Sequence, residues 1–206
     1  MEVGANHPTR LSQTWFLEQR GWKGILVEPL PSCCDKLRDV RKNSIVWQVA
    51  VGSPEQVGKA IFNVADADAW SHMASAKGEV SASKQIEVEV TTLDNIFAKS
   101  PAVQIDFLSI DTEGMEIQVL SGFDLQKHRP TLVVLEDHMD DLDLYFYMRR
   151  QGYKLCKRTG PNNWWLAPGS KPMPMPFRER LSLWNRIWLR KPRRRLLWLL
   201  GRKATD

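Results

Sequence analysis

The sequence predicts an α/β protein built on a mostly parallel sheet, and three observations carry that expectation. Ile25-Leu26-Val27, Phe107–Ile110 and Thr131–Leu135 are short, unbroken apolar runs of the kind found in strands covered on both faces. Stretches with helical spacing separate them, as right-handed βαβ connections require. Several runs close on a carboxylate, the place where such sheets meet their ligands.

The elements follow in chain order. Met1–Gly4 reads as the stub of a strand ending in a turn, and this first strand is expected to be truncated. Leu11–Arg20 has helical spacing, with Leu11, Trp15 and Glu18 on successive turns. Gly21–Gly24 breaks it before the strand Ile25–Val27. Pro29 and Pro31 end that strand, and Ser32 is the expected N-cap of a helix over Cys33–Lys42. Ile45–Val51 is one β-rich run, Lys59–Val64 and Gln85–Thr92 are extended, and Ala65–Ser83 between them reads as a mobile loop. After the strand Phe107–Ile110, the spacing predicts a helix over Gly114–Leu120 that Gly122 stops. Thr131–Leu135 is a strand ending at Glu136. Met139–Gln151 is helical with Gly152 as its C-cap. Tyr153–Lys157 and Trp164–Ala167 form a closing antiparallel hairpin around Gly160-Pro161-Asn162.

Composition fits this reading. The 206 residues are 43% hydrophobic and 26% charged, which excludes wholesale disorder and collagen-like structure. Three cysteines, two of them adjacent, make no disulfide framework and no CxxC metal motif, so a reducing cytoplasmic compartment is expected. The opening MEVGANHPTR lacks the features of a secretory signal, and no apolar run is long enough to span a membrane.

Charge divides the chain. Residues 177–206 hold ten Lys or Arg against Glu179 and Asp206, a net +8, which leaves −3 of the total +5 for residues 1–176. The basic pI thus describes a tail. The organisation expected is a domain over 1–168, a linker over 169–176 stiffened by Pro172, Pro174 and Pro176, and a basic tail over 177–206.

Four carboxylates sit where strands open: Glu2, Glu28, Asp111 and Glu136. One polar strand end is ordinary, but four around one crevice suggest a site. Gly4-Ala5-Asn6 is a small-residue turn that lets a ligand approach the backbone, and Glu28 can accept both hydroxyls of a ribose.

Glu2-Val3-Gly4-Ala5-Asn6, Gln13–Glu18 and Gly21–Pro29 resemble FkbM-type methyltransferases in order and spacing. So do Ile105–Glu116, Val119–Asp124 and Arg129-Pro130, and the blocks together cover nearly all of residues 1–167. The resemblance implies a Rossmann-like class I methyltransferase fold and S-adenosyl-L-methionine as cofactor. It implies methyl transfer to a hydroxyl of a small-molecule, sugar or glycan acceptor. On that pattern Glu2, Gly4, Ala5 and Asn6 shape the pocket for the methionine end. Glu28 holds the ribose, and Asp111 and Glu113 face the reacting end. The family's second glycine is Pro8 here, preceded by His7.

A hydroxyl acceptor gains from a general base, and His7, Asp111, Glu136 and His138 are the candidates. Asp111, Glu136 and Asp137 are hard oxygen donors, but their spacing is no metal motif and no metal is expected. Cys33 or Cys34 reads as a core residue, and Trp164 and Trp165 as packing residues.

In the tail, Phe177, Leu181, Trp184, Ile187 and Trp188 fall at helical spacing opposite basic residues. Arg193-Arg194-Arg195 then precedes Leu196-Leu197-Trp198-Leu199-Leu200. This is the pattern of an interfacial helix on an anionic membrane surface. Docking on the domain or a second subunit is the plainer alternative, and no nucleic-acid partner is expected. A non-catalytic scaffold using this tail for binding is the rival to the enzyme reading.

Overall fold

The structure is a computed structural model that describes residues 1–65, 72–73, 82–102, 104–137, 142–171 and 175–188. The chain divides into two compact units, Met1–Pro130 and Thr131–Asp206. The first unit opens with β1 (Glu2–Val3), α1 (Trp15–Glu18), β2 (Gly24–Val27), α2 (Pro31–Val40) and β3 (Ser44–Trp47). Then come β4 (Ala50–Val51), β5 (Gly58–Ala65), β6 (His72–Met73), β7 (Ala82–Thr91) and α3 (Leu93–Lys99). It closes with β8 (Phe107–Ile110), α4 (Glu116–Ser121) and α5 (Leu125–His128). The second unit contains β9 (Leu132–Glu136), α6 (Asp143–Arg150), β10 (Lys154–Thr159), β11 (Asn162–Leu166) and α7 (Phe177–Trp188).

This is the expected α/β, Rossmann-like architecture. In the first unit β1 lies between two parallel neighbours, with Glu2 opposite Leu26 on one side and Ser109 on the other. β2 pairs in parallel with β3, so the order is β3-β2-β1-β8. Succession runs outward from β1 to β3, and the chain then returns to the far side of β1. That reversal makes a topological switch point between β1 and β8. Leu26, Val27, Leu108 and Ile110 are fully buried, as strands covered on both faces must be. In the second unit β11 pairs antiparallel with both β9 and β10, which is the predicted hairpin. Its Trp165 is completely buried beside Tyr145, 5.6 Å between ring centroids.

Several elements differ from expectation for identifiable reasons. The helix expected over Leu11–Arg20 shrinks to Trp15–Glu18 because Glu2 draws in the preceding residues. Its carboxylate accepts from the Ser12 hydroxyl (2.9 Å), the Gln13 amide (2.7 Å) and the Thr14 hydroxyl. Leu11 is left outside with φ +64° and 82% exposure. Pro31 begins α2 rather than ending a strand, because its fixed φ suits the first helical turn; Leu30, not Ser32, is the N-cap. α4 starts at Glu116 because Glu113 and Gly114 are both left-handed, at φ +53° and +97°. Gly152, at φ +82°, lies one residue past the C-cap Gln151. The hairpin is longer than predicted and turns on Gly160-Pro161 alone.

The run Ile45–Val51 is two strands, and the second of them belongs to a sheet the sequence did not reveal. β4 pairs in parallel with β7, β7 antiparallel with β5, and β5 with β6. One face of this sheet is apolar: Phe62, Val88 and Val90 pack with Leu30, Cys33, Ala50 and Met115. Its other face carries the Lys59–Glu87 ion pair, 2.6 Å, in solvent. Alternation along Gln85–Val90 gave the strand but not its partner. Much of the segment expected to be a mobile loop lies outside the described residues, although His72–Met73 within it pairs with β5. α3 and α5 were not anticipated either. Thr92 caps the first through the Asn95 amide, and Asp124 caps the second through the Gln126 and Lys127 amides.

Beneath the sheet end, Arg41 is 1% exposed and forms the centre of a polar network. Its Nε donates to Glu18 at 2.6 Å, Nη1 to the Pro8 carbonyl and Ser12 hydroxyl at 3.2 Å each, and Nη2 to Thr14 at 2.8 Å. Glu2 lies 3.7 Å from Nη1. Burial raises the Glu18 carboxyl, but hydrogen bonds from Ser44, Arg41 and the Asn43 amide outweigh it and hold the group below its usual range. A depressed carboxyl contributes stability above its unfolded pKa and loses it as pH falls through the folded value. Denaturant midpoints should therefore drop as pH falls below about 4.5, and Glu18→Gln should flatten that limb. Arg41→Ala should cost about 3–5 kcal/mol at neutral pH in the same assay, because two buried carboxylates lose their cation.

Candidate active site

The carboxyl ends of β1, β2 and β8 converge on the switch point. The Gly4 and Ala5 amides both donate to the Val27 carbonyl, at 3.0 and 3.2 Å, which ties the loop after β1 to β2. The Asp111 amide donates to the Val3 carbonyl at 3.1 Å, tying it to β8. Gly4 is at φ +74°, and a Cβ there would sit 1.9 Å from the Asp111 carbonyl oxygen. Only glycine fits, and its missing side chain lets the loop after β1 sit directly on the end of β8.

Glu28, 4% exposed, straps the loops together. Its two oxygens accept from the Asn6 and Leu30 amides, each at 2.9 Å. Asn6 is itself left-handed, at φ +42°, and Ala5 packs on Leu26 and Leu37 below. Asp111 and Glu113 are both half-buried and bring carboxylate oxygens within 4.8 Å of each other. Glu116 sets the bend between them. One of its oxygens accepts from the Thr112 amide (3.0 Å), the Thr112 hydroxyl (3.2 Å) and the Gly114 amide (3.2 Å).

Glu28, Asp111, Glu113 and the Gly4–Asn6 turn thus belong to one end of the first unit, where a cluster of carboxylates favours a cationic ligand. Two sequence-predicted residues have other partners. Glu2 was expected to shape the methionine pocket, but its carboxylate is buried in the Arg41 network and acts on the loop from below. His7 was expected as a general base, but its Nδ1 accepts from the Thr9 and Arg10 amides at 3.2 and 3.0 Å. With Nδ1 an acceptor, the neutral ring carries its proton on Nε2 and offers no free basic nitrogen. His138 lies outside the described residues. Arg41 and Glu116 were missed. Glu116 carried a weak signal, an acid in the first turn of a helix after a glycine; Arg41 carried none.

In the second unit Glu136 closes β9, and the next residue is structural. Asp137 accepts from Asn163 at 2.8 Å, and its carbonyl accepts from Arg158 at 2.7 Å. A cavity of about 250 Å³ opens at the opposite, amino ends of the strands, lined by Leu17, Trp22, Gly24, Ser44 and Phe107. Its position is the wrong one for chemistry in this fold.

All three cysteines are free and buried. Burial and the nearby Glu28 carboxylate push the Cys34 thiol up to about 12, and burial raises Cys156 as well. Neither is a nucleophile at neutral pH.

Such a switch point, with a tight glycine seam and an acid closing the second strand, is that of a Rossmann-like fold. Residues 2–155 match the model of the methyltransferase FkbM domain, and the chain belongs to that family. No curated protein and no solved structure matches it.

Gly4→Ala should destabilise the first unit by roughly 3 kcal/mol or more, because a main-chain atom cannot yield to the new Cβ. Chemical denaturation measures this. Alkylation of the native protein by iodoacetamide at pH 8 should run at least about 100-fold slower than alkylation of the denatured chain. Rapid labelling of Cys34 without denaturant would contradict its burial.

Proposed function

We propose that this protein is an S-adenosyl-L-methionine-dependent O-methyltransferase acting on a sugar, glycan or natural-product hydroxyl. The observation that carries the reading is the switch point itself. The Gly4 backbone packs directly on the Asp111 carbonyl, which holds the ends of β1 and β8 together, and Glu28 closes the neighbouring strand. The donor set suits this cofactor: a carboxylate for a ribose diol and further carboxylates for a cation. When bound, S-adenosylmethionine supplies a methyl group activated on a sulfonium.

The chain's own residues have three tasks in this reading. Glu28 binds the two ribose hydroxyls and fixes the nucleoside against the Gly4–Asn6 turn. Asp111 takes the proton of the acceptor hydroxyl, and Glu113, held by the Glu116 clamp, orients the cationic side of the site. Alignment of acceptor and donor contributes most of the rate, and a general base adds about 10²–10⁴-fold. His138, two residues after Glu136, is the alternative base.

Calorimetric titration with S-adenosylmethionine and S-adenosylhomocysteine tests the reading, beside a thermal melt that confirms folding. Saturable binding weakened at least tenfold by Glu28→Gln is expected. Asp111→Asn should lower methyl transfer by about 10²–10⁴ with little effect on affinity for S-adenosylhomocysteine, which carries no sulfonium charge, a pattern that His138→Ala should not share. A folded chain that binds neither compound ends the proposal.

A further inference from the structure

The helix α7 presents apolar residues on two sides. Leu183 packs against the buried Leu142, as Tyr145, Phe146 and Leu155 also do, which fixes the helix on its own unit. Phe177, Leu181 and Trp184, at positions i, i+4 and i+7, are 75%, 54% and 52% exposed. At 3.6 residues per turn they fall within an arc of about 60°, on a different side from Leu183. Arg178 and Arg180, both exposed, flank this stripe on either side. The helix therefore has a packed edge and an unpartnered edge, and basic residues border the second.

We propose that the exposed stripe of α7 docks on an anionic lipid bilayer, with the helix lying in the plane of the interface. Charge complementarity selects this occupant. The segment 177–206 carries net +8, while the preceding 176 residues carry −3, so attraction to a negative surface is confined to the segment holding the stripe. Trp and Phe are the aromatics that settle at the headgroup boundary, and flanking arginines reach the headgroups. The same alternation continues in sequence, where Arg193-Arg194-Arg195 precedes Leu196-Leu197-Trp198-Leu199-Leu200. A second copy would bring another +8 against the first. A nucleic-acid duplex would neutralise the arginines but leave Phe177, Leu181 and Trp184 in water. Among the described residues no helix is long and apolar enough to cross a membrane, so the association is peripheral. This inference does not depend on the methyltransferase reading.

Flotation of the full chain with vesicles tests it. Vesicles of phosphatidylcholine containing about 30% phosphatidylglycerol should bind at least tenfold more protein than pure phosphatidylcholine, and about 1 M salt should reverse most of the difference. Arg178→Gln and Arg180→Gln should each weaken partitioning roughly fivefold. Leu181→Glu combined with Trp184→Glu should weaken it at least tenfold with an unchanged thermal melt, since both positions are solvent-facing. Four results would overturn the proposal: no vesicle binding, equal binding to neutral vesicles, an undiminished double-Glu variant, or binding to a DNA duplex in place of vesicles. A dimer in ultracentrifugation that the double-Glu variant abolishes, with no vesicle binding, would assign the stripe to a second copy instead.

Discussion

Burial of the Arg41 guanidinium is the constraint on which the loop after β1 depends. The loop after β1 has little apolar surface of its own: Gly4, Asn6, His7, Thr9 and Ser12 cannot collapse by hydrophobicity. Arg41 supplies the missing cohesion by donating to Pro8, Ser12, Thr14 and Glu18 from a single planar group. Taking a guanidinium out of water is costly, and here Glu2 and Glu18 offset that cost. The result is a scaffold in which a polar cluster at one level holds the turn after β1 at the next. Because the cluster lies beneath the crevice, it can be strong without occupying the site.

The carboxylates of the first unit thereby divide into two populations. Glu2, Glu18 and Glu116 are engaged inside the protein, where they set loop geometry. Glu28, Asp111 and Glu113 lie at strand ends around the switch point. Glu28 stands between the groups, since it both straps the Asn6 and Leu30 amides and closes the strand next to the Gly4 turn. Position along the chain separates these roles poorly. Glu2 and Glu28 look alike in sequence, each an acid within two residues of the turn that closes its strand, yet their surroundings differ because Arg41 reaches one and not the other.

The parallel framework was legible because buried strands declare themselves as unbroken apolar runs: Ile25–Val27 and Phe107–Ile110 match their observed positions. Glycines marked the turns at Gly4, Gly122 and Gly160 correctly, since each answers a local steric demand. Long-range contacts were not legible. Nothing near Leu11–Gln13 says that a glutamate ten residues earlier will unwind the predicted helix. Nothing in Ile45–Val51 says that the run will split between two sheets. The acids of the crevice could be proposed from strand ends and family pattern, but the difference between Glu2 and Glu28 could not. The tautomer imposed on His7 also lay out of reach, because it arises from backbone amides two and three residues on.

The contact between position 4 and the Asp111 carbonyl has a consequence for how this site can change. The group that forbids a side chain at position 4 is a peptide oxygen, which every amino acid at position 111 would present in the same place. Steric fit at this seam is thus independent of which residue occupies 111. A change of side chain at position 111 leaves this seam intact, whereas position 4 has one admissible letter. The seam thus constrains one residue by shape and leaves the other to be set by what its side chain must do.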